Sequence, residues 1–196
     1  MAVTTEMIKE LRQLTNAGVL DCKKALEATG GDMEKAAAHL KEKGLVAAAK
    51  KAERVAADGL VEAYVHAGAK LGVLIEINCE TDFVARTETF KAFCHDVAMQ
   101  VAAATPQWVG RENVPAEVIS QQKAEYREQM AGEKKPEAIM ERILEGKLAK
   151  FYRENCLLEQ PYIRDDSKTI AQLLAETIAR VGENIVIKRF ARFQIS

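Results

Sequence analysis

Residues 61 to 77 carry the pattern that most narrows the fold. Val61, Ala63 and Val65 alternate with Glu62, Tyr64 and His66. After Ala67-Gly68-Ala69-Lys70, the residues Val73, Ile75 and Ile77 alternate with Leu74, Glu76 and Asn78. A period of two on both sides of a glycine-containing turn predicts a β-hairpin with one strongly apolar face. Such a face needs cover, because an isolated hairpin is marginal in water.

The rest of the chain supplies that cover. Phe90, Phe93, Cys94, Val97 and Val101 form a helical stripe ending near Pro106. Ser167 is suited to cap a last helix through Ile170, Leu173, Leu174, Ile178 and Val181, which Gly182 stops. Ile185, Ile187, Ala191 and Phe193, alternating with Lys188 and Arg192, predict a third strand. The fold class expected of this core is α+β, a three-stranded antiparallel sheet packed with helices.

Two further helical regions flank the core elements. Ile8, Leu11 and Leu14 mark a first short helix, closed by the loop Thr15-Asn16-Ala17-Gly18. Cys22, Ala25 and Leu26 mark a second, ended by Gly30-Gly31. Asp32 caps a third, with Ala36, Ala37 and Leu40 inward and Gly44 as its stop. This three-helix unit resembles ubiquitin-associated domains. Residues 45 to 58, rich in Ala and Lys, read as an exposed helical linker. From about 115 to 158 the chain is helical and charged, with Gly132 to Pro136 as a break, which predicts a projecting antiparallel helical hairpin. The expected division is residues 1–52 and residues 53–196, with the hairpin inserted in the second part.

Composition narrows the function. The chain has 196 residues, with 28 Lys and Arg against 29 Asp and Glu, a net charge of -1. A strongly basic face for nucleic acid is not expected from that balance. The N-terminal stretch lacks the apolar run of a secretory signal, and no run approaches the ~18 residues that span a bilayer. Cys22, Cys79, Cys94 and Cys156 form no CxxC pair, so reduced thiols in a cytoplasmic protein are expected rather than a zinc site or disulfides. No GxxxxGK[ST], GxGxxG or HExxH occurs, and His39, His66 and His95 lie far apart. Neither an enzyme nor a cofactor is indicated.

One stretch stands out, Asn78-Cys79-Glu80-Thr81-Asp82-Phe83-Val84-Ala85-Arg86. It lies where a strand gives way to a helix, a corner that exposes side chains. Thr81 or Asp82 suits the helix cap. From the residues alone, Phe83 reads as a staple folded back on the first turn.

TDFVAR after an apolar strand resembles the signature of the elongation factor Ts family. TNAGVLDCKKALEATGGDMEKA, AAKKAERVAADG and GENIVIKRF resemble further blocks of that family, in order, from about residue 5 to 193. The resemblance implies a guanine nucleotide exchange factor for elongation factor Tu, with no chemical active site. It implies that Asp82 and Phe83, flanked by Thr81 and Val84, enter the GTPase domain and dislodge Mg²⁺. It implies a second contact at Ala17, Gly18, Val19 and Leu20, where Val19 and Leu20 replace the family's frequent Met. Longer members carry two copies of the strand-helix core, whereas this chain has one, at 59 to 105. The second surface is then expected from a homodimer, giving a 2:2 complex, with the hairpin 60–78 and strand 185–193 as interface elements. An adaptor built on the three-helix unit and an RNA-binding translation protein are the alternatives. The TDFVAR corner speaks against the first, and the charge balance against the second.

Overall fold

The structure is a computed structural model that describes residues 3–15, 17–130 and 136–195. Three helices come first, α1 (Thr5–Thr15), α2 (Val19–Ala28) and α3 (Met33–Lys51). Leu11, Cys22, Ala25, Leu26 and Ala36 form their shared buried core. Gly30 and Gly31 take positive φ, 65° and 87°, which lets the chain reverse between α2 and α3. Asp32 caps α3 by accepting from the Lys35 N–H at 3.0 Å. Asn16, part of the expected loop, lies outside the described residues.

Gly44 does not end α3. Glycine inside a helix costs about 1 kcal/mol, which the following Ala-rich turns and tertiary contacts offset. Ala48 packs against the main core. Lys51 reaches a helix end from there, donating its ammonium to the Ile178 carbonyl at 3.3 Å. The first half of the expected linker, residues 45–51, is therefore helix that leans on the core.

The main sheet comprises β1 (Asp58–Val65), β2 (Leu71–Cys79) and a last strand at 185–194, in antiparallel order with β2 central. After β2 come the single turn α4 (Asp82–Ala85) and α5 (Glu88–Ala104). Next are α6 (Ala116–Met130) and α7 (Glu137–Asn155), whose seam of Tyr126, Met130, Met140, Ile143, Leu144, Leu148 and Tyr152 is a separate apolar cluster. Of the expected break from Gly132 to Pro136, Pro136 is the N-cap of α7 and the rest lies outside the described residues. Trp108 pairs with Cys156 and stacks near Phe151, fixing the base of this hairpin. A small ribbon, β3 (Pro161–Tyr162) with β4 (Asp165–Thr169), leads into α8 (Ile170–Val181) and β5 (Ile185–Gln194). Ser167 lies in β4, and Thr169 is the cap of α8. Its hydroxyl accepts from the Gln172 N–H, and the Gln172 side chain accepts from the Thr169 N–H in return.

One face of the sheet is buried under α5 and α8. Val73, Ile75, Ile77, Phe90, Val97, Val101, Ile170 and Ile187 are all among its core. Val73, Ile75 and Ile77 lie inward as their alternation requires. Val61 and Val65 do not share that face and are 65% exposed, because Val61 pairs with Glu76 and Val65 with Gly72. The turn closes with the His66 N–H donating to the Leu71 carbonyl, and that turn length sets the parity. Leu60, Glu62 and Tyr64 face inward in their place.

A bulge shifts β5 in the same way. Ile77 pairs with Ile187 but Glu76 pairs with Arg189, leaving Lys188 as an extra residue. Phe190 then turns inward and Phe193 outward, 67% exposed. The open face therefore carries Val61, Ala63, Val65, Leu74, Ala191 and Phe193, edged by the Arg189–Glu76 ion pair at 2.7 Å.

Candidate functional site

The corner after β2 is built by two threonine caps six residues apart. Thr81 is extended and its hydroxyl accepts from the Val84 N–H at 3.4 Å. Thr87 does the same for α5, accepting from the Phe90 N–H at 3.2 Å. These caps divide a continuous helix into one turn followed by α5. Between them Val84 and Ala85 are buried at 6% and 7% exposure and anchor the turn. Successive helical residues lie about 100° apart, so the neighbours of this buried pair point outward. Phe83 is 77% exposed and is not folded back as a staple.

Asp82 is also exposed and pairs with Arg86 at 2.8 Å. An exposed pair of this kind contributes little. Asp82 can exchange Arg86 for another donor at small cost. The corner thus presents an aromatic ring and a carboxylate side by side on a turn whose other side is buried.

The corner is held from elsewhere in the chain. The Glu183 carboxylate accepts from the main-chain N–H groups of Glu80 and Thr81, at 3.1 and 3.0 Å. It also accepts from the Thr81 hydroxyl at 2.7 Å. In return the Asn184 N–H donates to the Glu80 carboxylate at 2.6 Å. The Asn184 side chain, 3% exposed, donates to the carbonyl oxygens of Arg54 and Ala52 at 2.8 and 3.4 Å. Gly182, at φ 84°, ends α8 and aims this turn. The string Gly182-Glu183-Asn184 was legible in sequence only as part of a familiar block, with no role attached to it.

Cys79 lies beneath the corner, fully buried, its thiol donating to the Thr81 carbonyl at 3.1 Å. Burial, with the nearby Glu183 charge, pushes that thiol up to about 11. It is a protonated core group, unsuited to nucleophilic work. No group of three or more His, Cys, Asp or Glu able to hold a metal ion occurs among the described residues. No helix there is long and apolar enough to cross a membrane.

The second candidate region lies between α1 and α2. Gly18 is the N-cap of α2, and Val19 and Leu20 are 54% and 62% exposed in its first turn. Ala17 is half-buried, and its carbonyl accepts from the Cys22 thiol. Leu14, at the end of α1, is a third exposed apolar side chain, 67% exposed. The Asp21–Lys43 ion pair at 2.7 Å ties α2 to α3 behind this surface.

Comparison with known proteins covers the whole of this architecture. A family model described as elongation factor TS matches residues 2–196. Elongation factor Ts of Heliobacterium modesticaldum is 56% identical over 193 residues, 98% of this chain and 90% of the relative. That of Geobacter metallireducens is 55% identical over 195 residues, 100% of this chain and 90% of the relative. That of Anaeromyxobacter sp. is 54% identical over 191 residues, 97% of this chain and 87% of the relative. The likeness thus runs through the N-terminal helices, the corner, the helical hairpin and β5 alike, and the chain belongs to the elongation factor Ts family of translation elongation factors.

Proposed function

We propose that this chain is the guanine nucleotide exchange factor for elongation factor Tu. It binds the GDP form, dislocates Mg²⁺ and promotes GDP release so that GTP can enter. The observation that carries the reading is Phe83, a large aromatic 77% exposed on an anchored turn, in a chain of this family. An exposed aromatic contributes little to its own fold, whereas burying it against a partner is among the strongest contributions an interface has.

The mechanism is one of linkage rather than chemistry. A nucleotide is retained because its phosphates and Mg²⁺ are held by many contacts at once. A factor that prefers the empty GTPase weakens nucleotide binding by the factor with which nucleotide weakens its own binding. Phe83 acts as the wedge, and the Asp82 carboxylate beside it offers an acceptor that can leave Arg86 for a donor of the GTPase. Thr81 and Val84 hold the turn that bears them, the first as cap and the second as buried anchor. The protein is accordingly no enzyme, works in the cytoplasm and needs neither nucleic acid nor membrane. The direct test is release of labelled GDP from purified elongation factor Tu with and without this chain. Unchanged release across micromolar concentrations would overturn the reading.

Residues 1–52 act as a ubiquitin-associated-like docking unit on the core of residues 53–196. Ala17, Gly18, Val19 and Leu20 form its contact. Exposure of Val19 and Leu20 supports this, because truncating them leaves the unit's own core of Leu11, Cys22 and Leu26 in place. Replacing both with serine should raise the half-saturating factor concentration by about tenfold, the effect of losing roughly 1.4 kcal/mol. The release rate at saturation should stay the same. A lowered plateau at unchanged half-saturation would reverse the assignment.

A homodimer, giving a 2:2 complex, is the proposed working form. The open sheet face supports it. Val65, Leu74 and Phe193 are 65%, 48% and 67% exposed on that face. Contiguous apolar surface of this kind marks an association site, and twofold pairing covers two such faces at once. Leu74→Asp, in the central strand, should convert the dimer to a 21.7 kDa monomer in sedimentation at micromolar concentration. A parent chain that sediments as that monomer, alone and with elongation factor Tu, would remove the proposal.

A further inference from the structure

The turn that bears Phe83 has only four residues. So short a helix has no stability of its own, and its direction comes from what grips its ends. Val84 and Ala85 grip one side by burial. The other grip is Glu183, which lies about a hundred residues later in the chain. One carboxylate takes three hydrogens there, from the Glu80 N–H, the Thr81 N–H and the Thr81 hydroxyl. Two consecutive N–H groups converging on Oε2 fix the plane of the peptide that enters the turn. The third bond sets the Thr81 hydroxyl, which donates to Glu183 and so offers its lone pairs to the Val84 N–H. Charge-assisted bonds of this kind are the strong ones.

We propose that Glu183 is the positioning residue for Phe83 and Asp82, setting the direction in which the corner enters its partner; this rests on the exchange reading above. Bulk fold support does not account for its arrangement. Thr81 is exposed and Glu80 only half-buried, so water can satisfy two of the three hydrogens fully and reach the Glu80 N–H from one side once Glu183 is gone. Loss of the carboxylate then costs the fold little and the aim of the turn a great deal. A wedge is sensitive to aim, as displacements near 1 Å at a working site can cost about a hundredfold.

The test is GDP release from purified elongation factor Tu carrying fluorescent GDP, followed against concentration of the full-length chain. Glu183→Ala should lower the saturated release rate about tenfold, with a melting temperature close to the parent's. Glu183→Gln keeps one acceptor oxygen for Thr81 and should fall between the two. It carries the same test if the alanine variant melts below assay temperature. The decisive comparison is in the Phe83→Ala background, where Glu183→Ala should have no further effect, since it acts through Phe83. An unchanged plateau in Glu183→Ala, with Phe83→Ala slow, would overturn the positioning role alone. So would an equal loss with and without Phe83. Release as fast with Phe83→Ala as with the parent would overturn Phe83 as the wedge and this proposal together, whereas no acceleration by the parent chain would overturn the exchange reading itself.

Discussion

Phe83→Ala should slow GDP release from elongation factor Tu about thirtyfold, the effect of losing an aromatic anchor worth roughly 2 kcal/mol, and should leave thermal melting almost unchanged. The two halves of that expectation come from one number. Phe83 is 77% exposed in the free protein, so its ring buries little apolar area on folding. Phe90, seven residues on, is 0% exposed, and truncating it to alanine should cost ~3–5 kcal/mol of stability. The pair separates wedge from core with the same chemical change. Asp82→Ala should act in the same direction as Phe83→Ala but more weakly, since an exposed polar contact replaces water rather than vacuum. Val84→Ala should behave instead like a core variant, because Val84 is 6% exposed and faces inward. If Phe83→Ala melts several degrees early and exchanges normally per folded molecule, the ring belongs to the core and the mechanism loses its wedge.

The elements of this fold were legible where a single segment decides its own structure. The stripe Phe90, Phe93, Val97, Val101 specifies α5, and all four are buried. Asp32 and Gly182 cap the helices that they flank, as local rules require. Where the outcome depends on pairing, the alternation misleads. Val61, Ala63 and Val65 are as apolar as Val73, Ile75 and Ile77, and only the turn at 66–71 decides which set is inward. In β5 the single extra residue Lys188 exchanges the faces of Phe190 and Phe193. Neither parity is encoded in the strand that suffers it. Gly44 illustrates the same point for helices, since contacts with α8, distant in sequence, carry α3 past it.

For the site, the corner was visible because its residues are contiguous, and what aims it was not. Thr81 to Arg86 form one string, whereas Glu183 reaches Thr81 across 102 positions. An acidic residue after a helix-ending glycine carries no mark of such a partner. The exposure of Phe83 was likewise beyond local reading, because a staple and a wedge occupy the same place after a cap. The buried pair Val84-Ala85 decides between them by turning Phe83 outward.

Gly59→Ala should be the counterpart of Phe83→Ala, a loss of fold with no contact to any partner. Gly59 has φ 142°, a conformation that residues with a Cβ rarely adopt. It pairs with Asn78 across β1 and β2. A Cβ there would overlap the Ile77 carbonyl oxygen and lie 2.7 Å from the Asn78 Cα. Both obstacles are main chain of the central strand, so no side chain can rotate aside. Relief requires moving β1 away from β2, where the Asn78 side chain donates to the Asp58 carbonyl at 3.0 Å. The combined strain should cost on the order of 3 kcal/mol. For a chain of this size that is a fall in melting temperature of about 6–12 °C. Gly146→Ala is the matched control. Gly146 lies within α7 with nothing within 4 Å of its added Cβ, so alanine there should stabilise by ~0.5–1 kcal/mol through helix propensity. The same substitution thus changes sign between a strand crossing and an open helix face. Asn78 leads by three residues into Thr81, so Gly59→Ala should also depress exchange, in proportion to the unfolded fraction. A Gly59→Ala protein that melts with the parent would show that β1 and β2 do not meet in this register.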